Sequence, residues 1–100
     1  MSRVDIRRVL VAYDIPLDAR RTRLANALSA YGDRVQYSVF IVDAAPVRIA
    51  RLKRQLEKIM VAEEDSILMC DLGPIAGVAE HRFTTLGKQR PVTDGDSFII

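Results

Sequence analysis

The chain has 100 residues, 49% of them hydrophobic, which is enough for one domain with a single core. Its one cysteine, Cys70, excludes an internal disulfide and a cysteine-rich zinc site, and no apolar run approaches the roughly 20 residues of a membrane span. No signal segment opens the chain, so we expect a cytoplasmic protein. The net charge of +2 is by itself weak evidence for nucleic-acid binding.

The first strand is predicted over Arg7 to Asp14, where an apolar run ends in a carboxylate and Ile15-Pro16 follows. Residues of this run are apolar on both faces, which is typical of a central strand. A helix should follow from about Asp18, as its N-cap, to Tyr31, and Gly32 should end it.

Three arginines stand at the start of that helix, within a segment (residues 3–23) that holds six arginines and three aspartates. Cations there oppose the helix dipole by a few tenths of a kcal/mol each, roughly up to 1. Arg20, Arg21 and Arg23 therefore indicate function more than stability, with an ordinary helix surface as the alternative. Donors at a helix N-terminus suit a phosphate, and the nearby Asp14 suits a metal ion.

The second half of the chain continues the alternation of strands and helices. Arg34 to Asp43 is rich in strand formers and falters at Ser38, which predicts two short strands or one bent strand. Pro46 is typical of a helix start, and an apolar stripe at helical spacing follows it: Ile49, Leu52, Leu56 and Ile59. Pro46 to Met60 also carries five basic residues and one acid. Ser66 to Leu72 predicts a strand that Gly73-Pro74 ends. A short strand is also expected over Arg82 to Leu86, and residues 75–80 are read as a loop or a helical turn.

This order of elements predicts one α+β domain over residues 1–100, a ferredoxin-like βαββαβ sandwich with two helices on one face of an antiparallel sheet. We expect strands one and three to be parallel neighbours, so that Asp14 and Asp43 emerge at the same end. The open sheet face and the apolar tail (residues 91–100, an extra C-terminal strand) predict a homodimer in which the faces stack and the tails pair across.

Five segments spread over nearly the whole chain form a recognisable pattern. They are Val-Ala-Tyr13-Asp14-Ile15-Pro16, the arginine-rich helix start, Arg34-Val35-Gln36-Tyr37-Ser38-Val39-Phe40, Glu64-Asp65-Ser66-Ile67 and Leu86-Gly87-Lys88-Gln89-Arg90-Pro91. Together they resemble the CRISPR-associated Cas2 family, the small nuclease-like subunit that accompanies the spacer integrase Cas1.

The resemblance implies a ferredoxin-like homodimer that serves spacer acquisition in CRISPR antiviral defence, by holding double-stranded DNA between integrase dimers. It also implies a metal-dependent endonuclease site for RNA or DNA, in which Asp14 is the catalytic residue and binds Mg²⁺ or Mn²⁺ shared across the dimer. Residues that match the family's cleft are Tyr13, Arg21, Arg23, Arg34, Ser38 and Phe40. The predicted nucleic-acid contacts are Arg20, Arg21, Arg23 and Arg34.

Other interpretations are open at this point. A free-standing VapD-type ribonuclease toxin resembles the same fold, whereas an RNA-recognition module shares the strand order but lacks the base-stacking aromatic motif. Asp14 alone is compatible with a strand-end turn residue, and Asp43 with a second carboxylate or a helix cap. Cys70 is expected in the core, and His81 on the surface.

Overall fold

The computed structural model describes residues 6–77 and 84–88 of the chain. A four-stranded sheet has the spatial order β2-β3-β1-β4, and two helices lie on one of its faces. The elements are β1 (Arg7–Asp14), α1 (Asp18–Ser29), β2 (Gly32–Gln36), β3 (Val39–Ala44), α2 (Pro46–Ile59), β4 (Ser66–Pro74) and a short 3₁₀ turn (Ile75–Gly77). This order and topology confirm the predicted ferredoxin-like class.

The core lies between the helices and one face of the sheet. Val9, Val11 and Tyr13 point from β1 into this core, whereas the alternate residues of β1 lie on the opposite, open face. Buried leucines of α1 and α2 cover the sheet, and the predicted stripe of α2 is confirmed. The residues with less than 2% exposure are Phe40, Leu24, Leu28, Leu52, Leu56, Val11 and Val42.

All neighbouring strands are antiparallel, so the expected parallel pairing of the first and third strands is wrong. The crossover through α1 makes β1 parallel to β2, and β3 returns between them in the opposite direction. Arg8 is therefore opposite Asp43 in the register, at the far end of β1 from Asp14. The expectation that Asp14 and Asp43 share one end of the sheet is corrected accordingly.

β2 and β3 form a hairpin, which confirms the prediction of two short strands meeting near Ser38. Its first residue, Gly32, allows a close approach, because a Cβ atom there would be 2.2 Å from the carbonyl oxygen of Ile41. Gly32 thus begins β2; α1 has already ended at Ser29.

β4 continues to Pro74, two residues beyond its predicted end at Leu72. The strand lies at an edge of the sheet, where a missing backbone donor is tolerated. Its pairing register shifts between Arg8 and Val9, and Gly73 adopts a φ of 109° there. The Gly73 amide donates to Asp71 Oδ1 (2.8 Å). A glycine bulge with its own side-chain acceptor therefore keeps the strand going.

The helix starts differ from the capping prediction in one case. Asp18 is the first helical residue of α1, and the N-cap is Leu17, which makes no side-chain capping bond. Pro46 occupies the first turn of α2, as predicted. Neither of these helices, nor any other helix in the described ranges, has the length and apolar content of a membrane span.

Several sequence predictions concern the open sheet face and the end of the chain. Cys70 is exposed on β4, not part of the core, because it faces away from the helices beside Leu10. Thr84 to Leu86 are exposed and not in a strand, which corrects the described part of the strand expected there. His81 and the tail (residues 91–100) lie outside the described residues.

Candidate metal and nucleic-acid site

Asp14 is the last residue of the central strand, and its side chain is exposed. It follows Leu10 and Ala12 on the open face, and it is opposite Ser66 at the start of β4. On the side away from β4, the end of β1 is held by the β2–β3 turn, because the Tyr13 amide donates to the Ser38 carbonyl (3.1 Å). An exposed carboxylate is therefore held at a strand end whose backbone is paired on both sides.

Tyr13 and Arg34 connect the end of β1 to the hairpin. The Tyr13 hydroxyl donates to the Tyr37 carbonyl (3.5 Å) and accepts from Arg34 Nη2 (3.3 Å). The guanidinium carbon of Arg34 lies 5.2 Å from the ring centroid of Phe40 and 6.0 Å from that of Tyr37. Phe40 is buried and stacks on Tyr13, so it supports the arrangement from the core. Tyr37 is 63% exposed.

Arg21 approaches the same place from α1. Its Nη1 donates to the Ile15 carbonyl (2.5 Å), and its Nη2 pairs with Asp18. Desolvation lowers the pKa of Arg21, but the Asp18 hydrogen bond and the proximity of Tyr37 outweigh it, so the pKa is raised. The group is a permanent cation in a preorganised position.

The side chains of Arg21, Arg34 and Tyr37 line a cavity of about 290 Å³ between α1 and the hairpin. Thr22, Asn26 and Ser29 contribute neutral polar groups to its wall. Arg34 Nε is buried and has no hydrogen-bond partner among the described residues. A spare donor on one of the two guanidinium groups that line this cavity suits an anionic oxygen. We name this space the cation cavity.

Arg20 has a structural role that sequence reasoning missed. Only 8% of it is exposed, and its Nε and Nη2 donate to the two carboxylate oxygens of Asp65 (2.6 and 2.9 Å). A further bond joins Nη2 to Glu64 (3.0 Å). Asp65 and Glu64 thus engage two of the three guanidinium nitrogens of Arg20, so the structure gives this residue a structural role, and its predicted phosphate contact stays a prediction. This bidentate pair could not be predicted from the sequence, because Arg20 and Asp65 are 45 positions apart and no local pattern connects them.

The ion pair locks the turn before β4 against α1. Asp65 also accepts from the Val61 amide (2.8 Å). The hydrogen bond from Arg20, partly opposed by desolvation, lowers the pKa of Asp65, and the Val61 amide adds to this. Because Asp65 precedes Ser66, the residue opposite Asp14, this pair helps to fix the strand that supports the carboxylate.

The three arginines of the helix start thus diverge. Arg20 is directed towards β4, Arg21 lines the cation cavity, and Arg23 is exposed and lines a groove between α1 and α2. Arg21 and Arg34 line the same cavity as Tyr13, the residue before Asp14, whereas Arg23 does not. A contact between Arg23 and nucleic acid stays a prediction.

Within one protomer, the described residues offer few metal ligands. They contain no group of three or more His, Cys, Asp or Glu side chains that could hold an ion. Asp43 does not assist Asp14, because Arg8 binds it in a bidentate pair with both distances at 2.8 Å. It also does not cap α2, whose N-cap is Ala45. The Asp14 oxygens are of the type that Mg²⁺ and Mn²⁺ prefer.

Comparison with characterised sequences gives consistent relatives. A Synechocystis protein named CRISPR-associated endoribonuclease Cas2 3 is 47% identical over 58 residues, which span 58% of this chain and 63% of that protein. A Chloroflexus aurantiacus protein of the same name is 44% identical over 93 residues, spanning 91% of this chain and 95% of the relative.

Solved structures that resemble this protein belong to the same group of proteins as these relatives. Streptococcus pyogenes Cas2 superposes with a TM-score of 0.70 at 33% identity, over 80% of this chain and 99% of that one. A chain of a partial Cas6-RT-Cas1–Cas2 complex superposes with a TM-score of 0.60 at 29% identity, over 72% and 99%. The model of the family described as CRISPR associated protein Cas2 matches residues 7–74. The chain therefore belongs to the Cas2 family.

Proposed function

We propose that this protein is a CRISPR adaptation subunit: a dimeric scaffold that binds nucleic acid for the Cas1 integrase and carries a metal-dependent endonuclease site at Asp14. The observation that carries the proposal is that two consecutive residues at the end of β1 belong to two different features: Asp14 is an exposed carboxylate on the open face, and Tyr13 lines the cation cavity. Family membership and the structural similarity to a chain of a Cas1–Cas2 complex support the partnership with Cas1.

The cation cavity is the proposed phosphate contact. Arg34 Nε has an unused donor, and Arg21 is fixed by bonds to Ile15 and Asp18 before any ligand arrives. Preorganised guanidinium groups bind phosphate oxygens with little loss of side-chain entropy. These contacts reach the backbone of a nucleic acid and not its base edges, so the sequence preference should be slight.

The open sheet face is the proposed dimer interface. It carries Leu10, Ile41, Leu68 and Cys70 around the centre of the sheet. Stacking two such faces covers this apolar surface. Asp14 extends the same face, so the stack also brings the Asp14 carboxylates of two protomers towards each other.

Two Asp14 carboxylates, one from each protomer, would hold Mg²⁺ or Mn²⁺, with waters completing the coordination. A bound ion of this kind supplies polarisation of a phosphoryl oxygen and a lower pKa for water. The residues of this chain then have separate tasks. Asp14 holds the negative charge, Arg21 and Arg34 orient the phosphodiester, and Tyr13 keeps Arg34 in place through its hydroxyl.

The test is Asp14→Asn, which keeps the shape of the side chain and removes its charge. Cleavage of RNA and DNA in Mg²⁺ or Mn²⁺ should fall to background, while duplex binding and Cas1-dependent spacer integration continue. Glu63→Gln is the matched control, because Glu63 is an exposed acid on the turn after α2. Unchanged cleavage in Asp14→Asn would remove this residue from the site.

The names of the relatives contain the word endoribonuclease, which favours RNA cleavage as a second candidate function. We propose it as the activity of a free-standing enzyme. A VapD-type toxin would be an example of this class. The same variant separates the two functions. Loss of both cleavage and integration would mean that hydrolysis is obligatory, whereas integration without cleavage identifies a scaffold. Toxicity of the isolated wild-type protein, absent in Asp14→Asn, would favour the free-standing ribonuclease.

A further inference from the structure

A second surface lies on the helical layer, away from the open face that carries Asp14. It is a groove between α1 and α2 with a volume of about 690 Å³. Ala27, Tyr31 and Ile59 form its apolar floor, and Arg23, Arg48 and Lys58 supply its charge. We infer that this interhelical groove binds an acidic polypeptide segment that inserts one apolar side chain between its carboxylates.

The floor of the groove favours an apolar side chain. Ala27, Tyr31 and Ile59 pack against the core but are only partly buried, so they keep apolar surface accessible. The small side chain of Ala27 leaves depth between the helices. Covering such a surface releases water from it, and a sugar-phosphate backbone gains little from this term. The floor therefore discriminates between a polypeptide and a nucleic acid.

One cation of the groove is preorganised. Arg48 Nη2 donates to the Ala30 carbonyl (3.3 Å), and its guanidinium carbon lies 4.4 Å from the ring centroid of Tyr31. The stacked guanidinium keeps further donors for a carboxylate. Arg23 and Lys58 are exposed, so their charges are accessible to a ligand.

Length and charge define the class of ligand. Tyr31 follows Arg23 by eight positions, which at the helical rise is about 12 Å along α1 and its C-terminal turn, the length of roughly four extended residues. No acidic side chain lines the groove among the described residues. A short segment with carboxylates on both sides of a leucine-like residue therefore complements its shape and its charge.

The test uses the full chain and two fluorescent peptides of equal charge. The first is acetyl-Asp-Glu-Leu-Asp-Glu-amide, and the second has Gly in place of Leu. Fluorescence anisotropy should show at least tenfold weaker binding of the Gly peptide. Ala27→Leu, which fills the floor without changing charge, should weaken binding of the Leu peptide at least tenfold and leave duplex DNA binding within twofold.

Matched charge variants test the location. Arg48→Gln with Lys58→Gln should weaken the Leu peptide about tenfold. Arg51→Gln with Lys53→Gln removes the same charge from exposed positions of α2 outside the groove, and should change binding less than twofold. Circular dichroism confirms that each variant is folded.

Three results would overturn the inference. Equal losses in the two double variants would mean that the peptide responds to the overall field of α2. Equal affinity for the two peptides, or no binding of either up to 1 mM, would show that the groove does not bind an apolar side chain of an acidic peptide. Displacement of the peptide by duplex DNA, with DNA affinity also lost in Arg48→Gln with Lys58→Gln, would make the groove a nucleic-acid surface.

Discussion

Leu68 offers a direct test of the open face as a dimer interface. It lies on β4 opposite Ala12, and 61% of its surface is exposed in the single protomer. Covering that fraction of a leucine stabilises an interface by about 1–2 kcal/mol. A two-fold axis uses the residue twice, so Leu68→Ala should cost the dimer about 2–4 kcal/mol, or about 30- to 700-fold in its Kd.

Sedimentation equilibrium over a range of protein concentrations measures this change. Val47→Ala is the matched control, because Val47 is 66% exposed but lies at the start of α2, on the helical layer. Its dimer Kd should stay within a factor of two of the wild-type value. Equal Kd values for Leu68→Ala and wild type would refute the stacked-face arrangement, and with it a metal shared between Asp14 carboxylates.

Three further predictions concern stability and charge. Phe40→Ala should lower the free energy of unfolding by about 3–5 kcal/mol in urea titrations, because Phe40 is 1% exposed and supports Tyr13 and Arg34. The lowered pKa of Asp65 contributes stability at pH above about 4, the unfolded value, which is lost as pH falls through the lowered pKa. Asp65→Asn should therefore have a lower free energy of unfolding than wild type at pH 7, and this free energy should fall less steeply as the pH is lowered below about 4. Parallel curves of unfolding free energy against pH for the two proteins would contradict this. Arg21→Gln should reduce the salt slope of duplex DNA binding by about 0.9, with Arg51→Gln as the control.

The fold was predictable where local patterns and chain order carry the information. The proline start of α2, its leucine stripe and the break at Ser38 all appear in the structure where the sequence placed them. The direction of β3 relative to β1 was misjudged, because the chain order does not itself state which strand lies between the ends of a crossover. The predicted ferredoxin-like topology itself has β1 antiparallel to β3, so the error lay in deducing the strand directions from it; the correct directions place Asp43 at the opposite end from Asp14.

The site was predictable only in part. Tyr13, Arg21 and Arg34 line one cavity beside the end of β1, and Asp14 is the exposed last residue of that strand. The functional roles that the resemblance implied for these residues stay predictions. Arg20 has the same position relative to the helix dipole as Arg21, yet it is buried against Asp65. That partner lies 45 residues away, so only the tertiary structure reveals it. Helix-end electrostatics thus indicated an unusual cluster, but not which of its members is available to a ligand.

The most direct test of the central claim is the binding of Mn²⁺ to the protein, followed by the loss of the free-ion signal in electron paramagnetic resonance. If one ion is shared between the Asp14 carboxylates of two protomers, the wild-type protein should bind one Mn²⁺ for every two protomers, and Asp14→Asn should bind none specifically. Glu63→Gln should bind as the wild type does. Unchanged Mn²⁺ binding in Asp14→Asn, or one ion for each protomer in the wild type, would contradict the proposed shared site.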